Sequence, residues 1–424
     1  MRPFFWWQPM NTDSSKMPWA LLIILALTYA LAFVDRAIVG LMMQEISQDL
    51  QISRATTSLL VGTGFAVVFS VAGIVATLLL SHIQPRLIIT AGVVVWSVAT
   101  ILCAIATTPT GFLIARMGVG IGEAALVPMA YAWISLRSPK QRIGLAMAVF
   151  TMGVSLGNGL SLTLGGQALE WLAQHALGET PLGLAPWRTV LAFCGAIGLP
   201  IAALVFWVDR QLVTGLGRPD LRGKWPPFAA PLWIFTGYAC IVGVYYIQLF
   251  WSLEFFRQSF DMTLASVALL LGVATGPGVA IGALIGGAIG DRVAQTRPVL
   301  PHAYMMIYAS ALQLIFFVTA FMVRTVEISI GAYILAMISH GAVGGAMGPS
   351  IAQLFSSEKR AFATSIGISF TTFGGLGVAM PLVGWSADAW DIRTAMAGSA
   401  ALMLAASMIC LAASRRAKLT EGHD

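Results

Sequence analysis

Long apolar stretches separated by short polar segments fill the chain from about residue 19 to residue 413. Each stretch has about 20 residues, the length that a helix needs to cross roughly 30 Å of hydrocarbon. The pattern therefore predicts twelve membrane-spanning helices, at 19–46, 56–80, 86–106, 110–134, 142–168, 187–208, 228–254, 264–289, 301–322, 327–354, 361–385 and 393–413.

The longest polar break, residues 209–227, follows six apolar stretches and precedes six more. Matching residues recur on its two sides: Pro128 with Pro349, Arg142 with Arg360, and Gly153 with Gly374. A parallel repeat of this kind predicts two six-helix bundles, 1–208 and 228–424, joined by a cytoplasmic linker at 209–227. They would be related by a pseudo-two-fold axis along the membrane normal, with a site near the midplane between them.

Composition supports a membrane protein, because 58% of the residues are hydrophobic and 10% are charged, against about 25% charged in soluble domains. Placing both termini in the cytoplasm puts most of the 24 lysines and arginines in the inner segments, as the positive-inside rule requires. The net charge of +6 then reflects topology, and no nucleic-acid partner is expected. All four cysteines lie in apolar spans, which argues against a disulfide framework.

Two charged residues, Asp35 and Arg36, interrupt the first span. Each charge costs about 2.5–3.5 kcal/mol near the centre of a membrane helix, so the pair needs partners. The fourth span supplies them, because Arg116 and Glu123 are seven residues apart and share a helix face. Their depths predict two ion pairs, Arg36 with Glu123 and Asp35 with Arg116. Gly118 and Gly122 predict a close approach of another helix.

These four charges allow two interpretations. They can form a structural network that holds one bundle together, since breaking a buried ion pair is strongly destabilising. They can equally form a proton switch, because neutralising Glu123 frees Arg36 to bind an anion. Other polar residues in spans are candidates for ligand contact (Tyr29, Asn158), for helix packing (Asn158) and for a surface or gate pair (Glu254 with Arg257), and His340 is either a structural histidine or one that titrates near neutrality.

Several segments resemble the major facilitator superfamily over essentially the whole chain. "GGAIGDRVAQTRP" looks like that family's loop motif, which implies a conformational role for Gly286, Gly290, Asp291 and Arg292. The matching first-half loop departs from the motif at Ser81 and His82. "RMGVGIGEAALVP", "GVATGPGVAIGALIGGAIGDR" and "GGLGVAMPLVGWSAD" look like the spinster-type lipid transporters, whereas Asp35-Arg36 with Glu123 also resembles the organic-anion symporters.

The resemblance implies a secondary transporter of the inner or plasma membrane that works by alternating access and moves protons with a lysophospholipid or sphingoid-like substrate. The alternatives are a proton-coupled symporter of small organic anions and a non-transporting receptor. Glu123, Asp35 and Arg36 are the expected coupling and gating residues, and Arg36, Arg116, Tyr29 and Asn158 the expected substrate contacts. We expect a monomer among membrane lipids, without cofactor or metal. The sequence has no HExxH or GxxxxGK[ST] pattern to suggest a zinc protease or an ATPase.

Overall fold

The computed structural model describes residues 17–79, 83–139, 142–175, 183–209, 229–296, 301–344, 347–355 and 359–420. Twelve helices within these ranges are long and apolar enough to cross a membrane. They are α1 (Trp19–Leu41), α2 (Arg54–Thr77), α3 (Pro85–Ile105), α4 (Pro109–Arg137), α5 (Leu145–His175), α6 (Pro186–Trp207), α7 (Ala229–Phe260), α8 (Leu264–Gly290), α9 (His302–Met322), α10 (Val326–Val343), α11 (Phe362–Ala389) and α12 (Ile392–Arg415).

The twelve predicted spans are confirmed, with differences at their ends. The first span was predicted to reach residue 46, but the chain turns at Met42, and a separate short helix, Met43–Asp49, follows. The tenth was predicted to reach residue 354; α10 ends at Val343 and Met347–Leu354 is helical, while residues 345–346 lie outside the described residues. The first prediction runs too far because a hydropathy pattern does not register the turn at the apolar residue Met42. The predicted linker lies outside the described residues except for Asp209, which accepts hydrogen bonds from Arg137 and Trp133.

Glycines let the helices of the first half approach closely. A Cβ atom on Gly122 of α4 would lie 2.6 Å from the carbonyl oxygen of Gly92 on α3, and one on Gly118 would lie 3.0 Å from the Cβ atom of Ala99. The close approach predicted for this glycine pair is therefore confirmed, with α3 as the partner. Larger side chains at these positions would push α3 away from α4.

Two of the contacts between the first six helices and the last six differ in character. Between α2 and α11 the contact is polar: Ser70 and Ser369 each donate to the other's carbonyl oxygen, at 2.8 and 2.9 Å, and the hydroxyls of Thr77 and Ser365 are 2.7 Å apart. Between α5 and α8 the contact depends on glycines, since a Cβ on Gly276 would lie 3.3 Å from the Cα of Gly159. Short π-helical turns interrupt α2 (Leu59–Thr63), α8 (Ala274–Gly278) and α11 (Phe373–Ala379), all of them helices in these contacts.

Candidate functional site

The charged residues of α1 and α4 form two buried ion pairs. Arg36 donates from Nε and Nη2 to Oε2 of Glu123, both at 2.6 Å. Asp35 binds Nη1 of Arg116 through Oδ2 at 3.1 Å and accepts the hydroxyl of Thr100 through Oδ1 at 2.8 Å. All four charged residues are at least 94% buried. Both ion pairs predicted from the sequence are confirmed.

Local backbone structure explains the position of Glu123. The α-helix that starts α4 ends at Ala124, and a second α-helix starts at Leu126. Pro128 has no N–H to donate to the carbonyl of Ala124, four residues earlier, so the regular hydrogen-bond ladder is interrupted there. The N–H of Ala125 instead donates to the carbonyl of Glu123. The carboxylate therefore lies beside an irregular turn rather than in the middle of an uninterrupted helix.

Aromatic rings enclose the Arg36 guanidinium. Its central carbon lies 5.0 Å from the ring centroids of Phe33 and Phe65 and 4.9 Å from that of Phe69. The guanidinium of Arg116 lies 5.3 Å from the same Phe65 ring. Rings hold a cation without neutralising it. They also exclude water, so the electrostatic interaction of each arginine with its carboxylate is strong.

The Arg36 side chain also reaches the second half of the protein. Its Nη1 lies 3.4 Å from the hydroxyl of Tyr246 on α7. Gly40 permits this approach, because a Cβ there would lie 2.9 Å from the carbonyl oxygen of Leu249. Among the described residues, Oε1 of Glu123 accepts no hydrogen bond. The ion pair thus has one unused carboxylate oxygen at the junction of the two halves.

Tyr246, in the segment "YYIQLFW" of α7, is not among the candidate residues identified from the sequence. Its hydroxyl and that of Tyr245 point to polar groups of the first half, since Asn158 Nδ2 donates to Tyr245 at 2.6 Å. Two adjacent tyrosines in an apolar span were the available signal. Tyr29 stacks on Phe150, with ring centroids 4.6 Å apart, and contacts Phe33, the residue beneath Arg36. The ligand roles predicted for Tyr29, Asn158 and Arg116 stay predictions.

The loop-motif residues lie at the C-terminal end of α8 and just beyond it. Gly286 packs against α10, where a Cβ would lie 2.5 Å from the Cα of Ala342, and Gly290 faces His302. Arg292 is exposed. The side chain of Asp291 and the residues Ser81 and His82 lie outside what the structure describes. The conformational role of this motif is therefore still a prediction.

Glu254 corrects a sequence prediction. Its expected partner was Arg257, three residues away, but it pairs with Arg54 at the start of α2, at 2.6 Å. Arg257 instead points toward Gln44, with Nη1 3.5 Å from the amide oxygen. Next to the Arg54–Glu254 pair, the N–H of Ala55 donates to Asp388 at 3.1 Å. We call these two contacts the terminal latch, because they join the two halves at the end of the molecule where α1 ends and α2 begins.

A cavity of about 310 Å³ adjoins the latch, lined by Met43, Gln44, Ser47, Gln48, Ile52, Ser53, Arg54, Thr57, Trp251, Glu254 and Asp388.

Reversing the charge of Arg54 (R54E) places two carboxylates together, so we expect the halves to separate at this end. In a background without the native cysteines, maleimide should label S47C at least threefold faster when R54E is present than when Arg54 is kept. The charge-swapped variant R54E/E254R should label at the original rate. Equal labelling rates in all three proteins would show that the latch does not hold this end closed.

No group of three or more potential metal ligands occurs among the described residues.

Similarity to known proteins identifies the family of this chain. The family model described as Major Facilitator Superfamily matches residues 25–349. An MFS-type efflux pump of Mycolicibacterium smegmatis is 27% identical over 406 residues, which cover 93% of this chain and 90% of the relative.

Two further similarities involve spinster proteins. A probable sphingolipid transporter of Arabidopsis thaliana, spinster homolog 2, is 28% identical over 162 residues, 38% of this chain and 31% of that protein. The crystal structure of a bacterial homolog of the human lysosomal transporter spinster, inward-facing and occupied, superposes with a TM-score of 0.75. It covers 95% of this chain and 96% of its own at 21% identity, so this likeness shows a shared fold.

Proposed function

The chain belongs to the Major Facilitator Superfamily of membrane transporters, and we propose that it is a proton-coupled secondary transporter of an amphipathic, lipid-like anion. Lysophospholipids and phosphorylated sphingoid-type molecules have this chemistry. Glu123 takes up the proton, and Arg36 binds the anionic group of the substrate. The two halves then alternate access to the site between them.

The observation that carries this proposal is the buried Arg36–Glu123 pair at the junction of the halves. Arg36 uses two of its N–H groups on one oxygen of Glu123. When Glu123 is protonated, Arg36 keeps its charge and loses its counter-ion. A buried cation without a counter-ion is costly, so an anionic substrate can take the place of the carboxylate. Proton binding and substrate binding thereby become coupled.

The two carboxylates are not equivalent in this scheme. Asp35 has a partner on each oxygen, Arg116 on one and Thr100 on the other. Oε1 of Glu123 has no partner in the part of the chain that the structure describes. A proton on Oε1 of Glu123 would displace no hydrogen bond of the described residues, whereas a proton on Asp35 would have to replace Arg116 or Thr100. We assign proton exchange to Glu123 and assign Asp35, through Arg116, to holding α1 against α4.

The surroundings of Arg36 favour an amphipathic molecule over a small, fully polar one. Phe33, Phe65 and Phe69 surround the cation, and Tyr29 and Phe150 continue the aromatic surface. Such a surface suits a chain or ring attached to a charged head group. Similarity to a probable sphingolipid transporter adds support for lipid-like chemistry.

Replacing Glu123 with glutamine tests the proton role. Glutamine imitates the protonated acid, so E123Q should bind an anionic ligand with an affinity that does not depend on pH. The wild-type affinity should rise by up to about tenfold per unit fall in pH, because one proton is linked to binding. Binding of oleoyl lysophosphatidylglycerol between pH 5 and pH 8 measures the difference, because its phosphodiester keeps one charge throughout, unlike a phosphate monoester, whose second pKa is about 6.

The matched control is E327Q, which makes the same change at an exposed glutamate of α10 and should behave like the wild type. In proteoliposomes, E123Q should also fail to accumulate substrate against its gradient when a proton gradient is imposed. An unchanged pH dependence in E123Q contradicts the proton assignment. If succinate or tartrate binds instead of the lysolipid, the substrate is a small organic anion, and the proton role of Glu123 is kept.

A further inference from the structure

A second polar cluster lies where α5 meets α7, α9 and α10. The hydroxyl of Tyr245 accepts a hydrogen bond from the amide of Asn158. The Tyr245 ring stacks on the His340 ring, with centroids 4.8 Å apart. Nδ1 of His340 lies 3.4 Å from Nε2 of Gln313. We call the following five residues the amide cluster: Asn158, Tyr245, Gln248 of α7, Gln313 and His340.

Several atoms of the amide cluster have no hydrogen-bond partner among the described residues. Both the nitrogen and the oxygen of the Gln248 amide are unpartnered, as are Oε1 of Gln313 and Oδ1 of Asn158. Gln248 and Gln313 are fully buried, and Asn158 is 99% buried. Buried polar groups in folded proteins nearly always have a partner, so this cluster needs a ligand or ordered water. One donor and three acceptors are left for it.

Helix geometry places Gln248 on the face of α7 that carries Tyr245. Gln248 follows Tyr245 by three residues on α7, so the two side chains lie on one face about one turn apart. Tyr245 on that face contacts α5 and α10. Carboxamides and a tyrosine hydroxyl offer neutral donors and acceptors, which suit an uncharged hydroxyl or amide group. The amide cluster therefore differs chemically from the ion pairs.

The two clusters meet at adjacent residues of α7. The rings of Tyr245 and Tyr246 have centroids 5.7 Å apart, and the Tyr246 hydroxyl faces Arg36. One molecule can therefore place an anionic group at Arg36 and a neutral polar group at the amide cluster. We propose that the amide cluster is a substrate subsite that binds an uncharged hydroxyl or amide group of the molecule held by Arg36. This inference rests on the proposed function.

Replacing Gln248 with methionine tests the subsite, because methionine keeps the shape of the side chain and removes both polar atoms. The probes are two pairs that differ in hydroxyl groups: oleoyl lysophosphatidic acid with its 2-deoxy analogue, and tartrate with succinate. Wild-type protein should bind the hydroxylated member of the pair it recognises at least tenfold more tightly. Q248M should lose that preference and bind the deoxy member with wild-type affinity.

The control T275V removes a buried hydroxyl on α8 that donates to its own helix at Leu271, so it should keep the preference. Without ligand, Q248M should unfold at the wild-type temperature or higher, because it removes unsatisfied polar atoms. A preference that persists in Q248M overturns the proposal. So does a lower unfolding temperature of ligand-free Q248M, which indicates a water-filled structural network, and this readout applies even if no probe binds.

The failure of this proposal is distinguishable from failure of the proposed function. Q248M changes no ionisable group, so it should leave the pH dependence of binding as in the wild type. E123Q changes that pH dependence and should leave the hydroxyl preference intact. A protein in which E123Q is without effect and Q248M abolishes the preference would keep the subsite and lose the proton switch.

Discussion

Replacing Asp35 with asparagine is expected to destabilise the protein by about 3–5 kcal/mol, because Arg116 is left charged and unpaired in the interior. Arg116 is 99% buried and lies against Phe65, so water cannot replace the missing carboxylate. Asparagine keeps the size of the side chain and one acceptor oxygen for Thr100, which isolates the loss of charge. Thermal unfolding of the purified protein in mild detergent measures the effect.

The double variant D35N/R116Q separates charge from shape. It removes both charges, so no unpaired ion is buried, and most of the lost stability should return. The positional role assigned to Asp35 and Arg116 then predicts substrate binding close to that of the wild type in the double variant. Equal losses of stability in D35N and D35N/R116Q would instead mean that the hydrogen bonds of Asp35, and not the charge balance, hold α1 against α4.

Replacing Arg36 with lysine is expected to lower the transport rate at least tenfold although the positive charge is kept. The planar guanidinium reaches Glu123 and Tyr246 at the same time and lies among three aromatic rings. A lysine ammonium is compact and cannot reproduce this planar fork. It can hold the carboxylate or face α7, but not both. Substrate uptake into proteoliposomes under an imposed proton gradient measures the loss.

The same substitution at Arg257 (R257K) is the matched control, because that guanidinium makes one long contact of 3.5 Å with Gln44. R257K should transport within about twofold of the wild-type rate. The unfolding temperature should be recorded for both variants, since R36K is expected to lose rate while still folding. Wild-type transport by R36K would mean that a positive charge alone suffices and that the contact with Tyr246 is incidental.

The ion pairs could be predicted from the sequence because charges inside a membrane have few possible partners. Asp35, Arg36, Arg116 and Glu123 lie within apolar spans, and the periodicity of the helix already places the last two on one face. Opposite charges at similar depth then pair, since the alternative is an uncompensated ion in hydrocarbon. The strength of the physical constraint made the prediction specific.

Glu254 shows where this reasoning fails. It lies near the end of a span, where water is close and an ion has many possible partners, so proximity in the sequence suggested Arg257. The partner is Arg54, 200 residues earlier and on another helix. Which residues meet there depends on how α2 and α7 pack, and weak constraints on charge at a helix end leave the choice to that packing.

The sequence by itself determined the class of fold, the twelve spans and the two ion pairs, because the bilayer penalises unpaired polar groups strongly enough to leave one arrangement. The tertiary structure alone decided how the two halves meet. Tyr246 at Arg36, the amide cluster around Tyr245 and the hydroxyl contacts between α2 and α11 all join residues far apart in the chain. Hydroxyls and amides can bond to their own helix or to a neighbouring one at similar cost, so their partners follow from the packing of the helices.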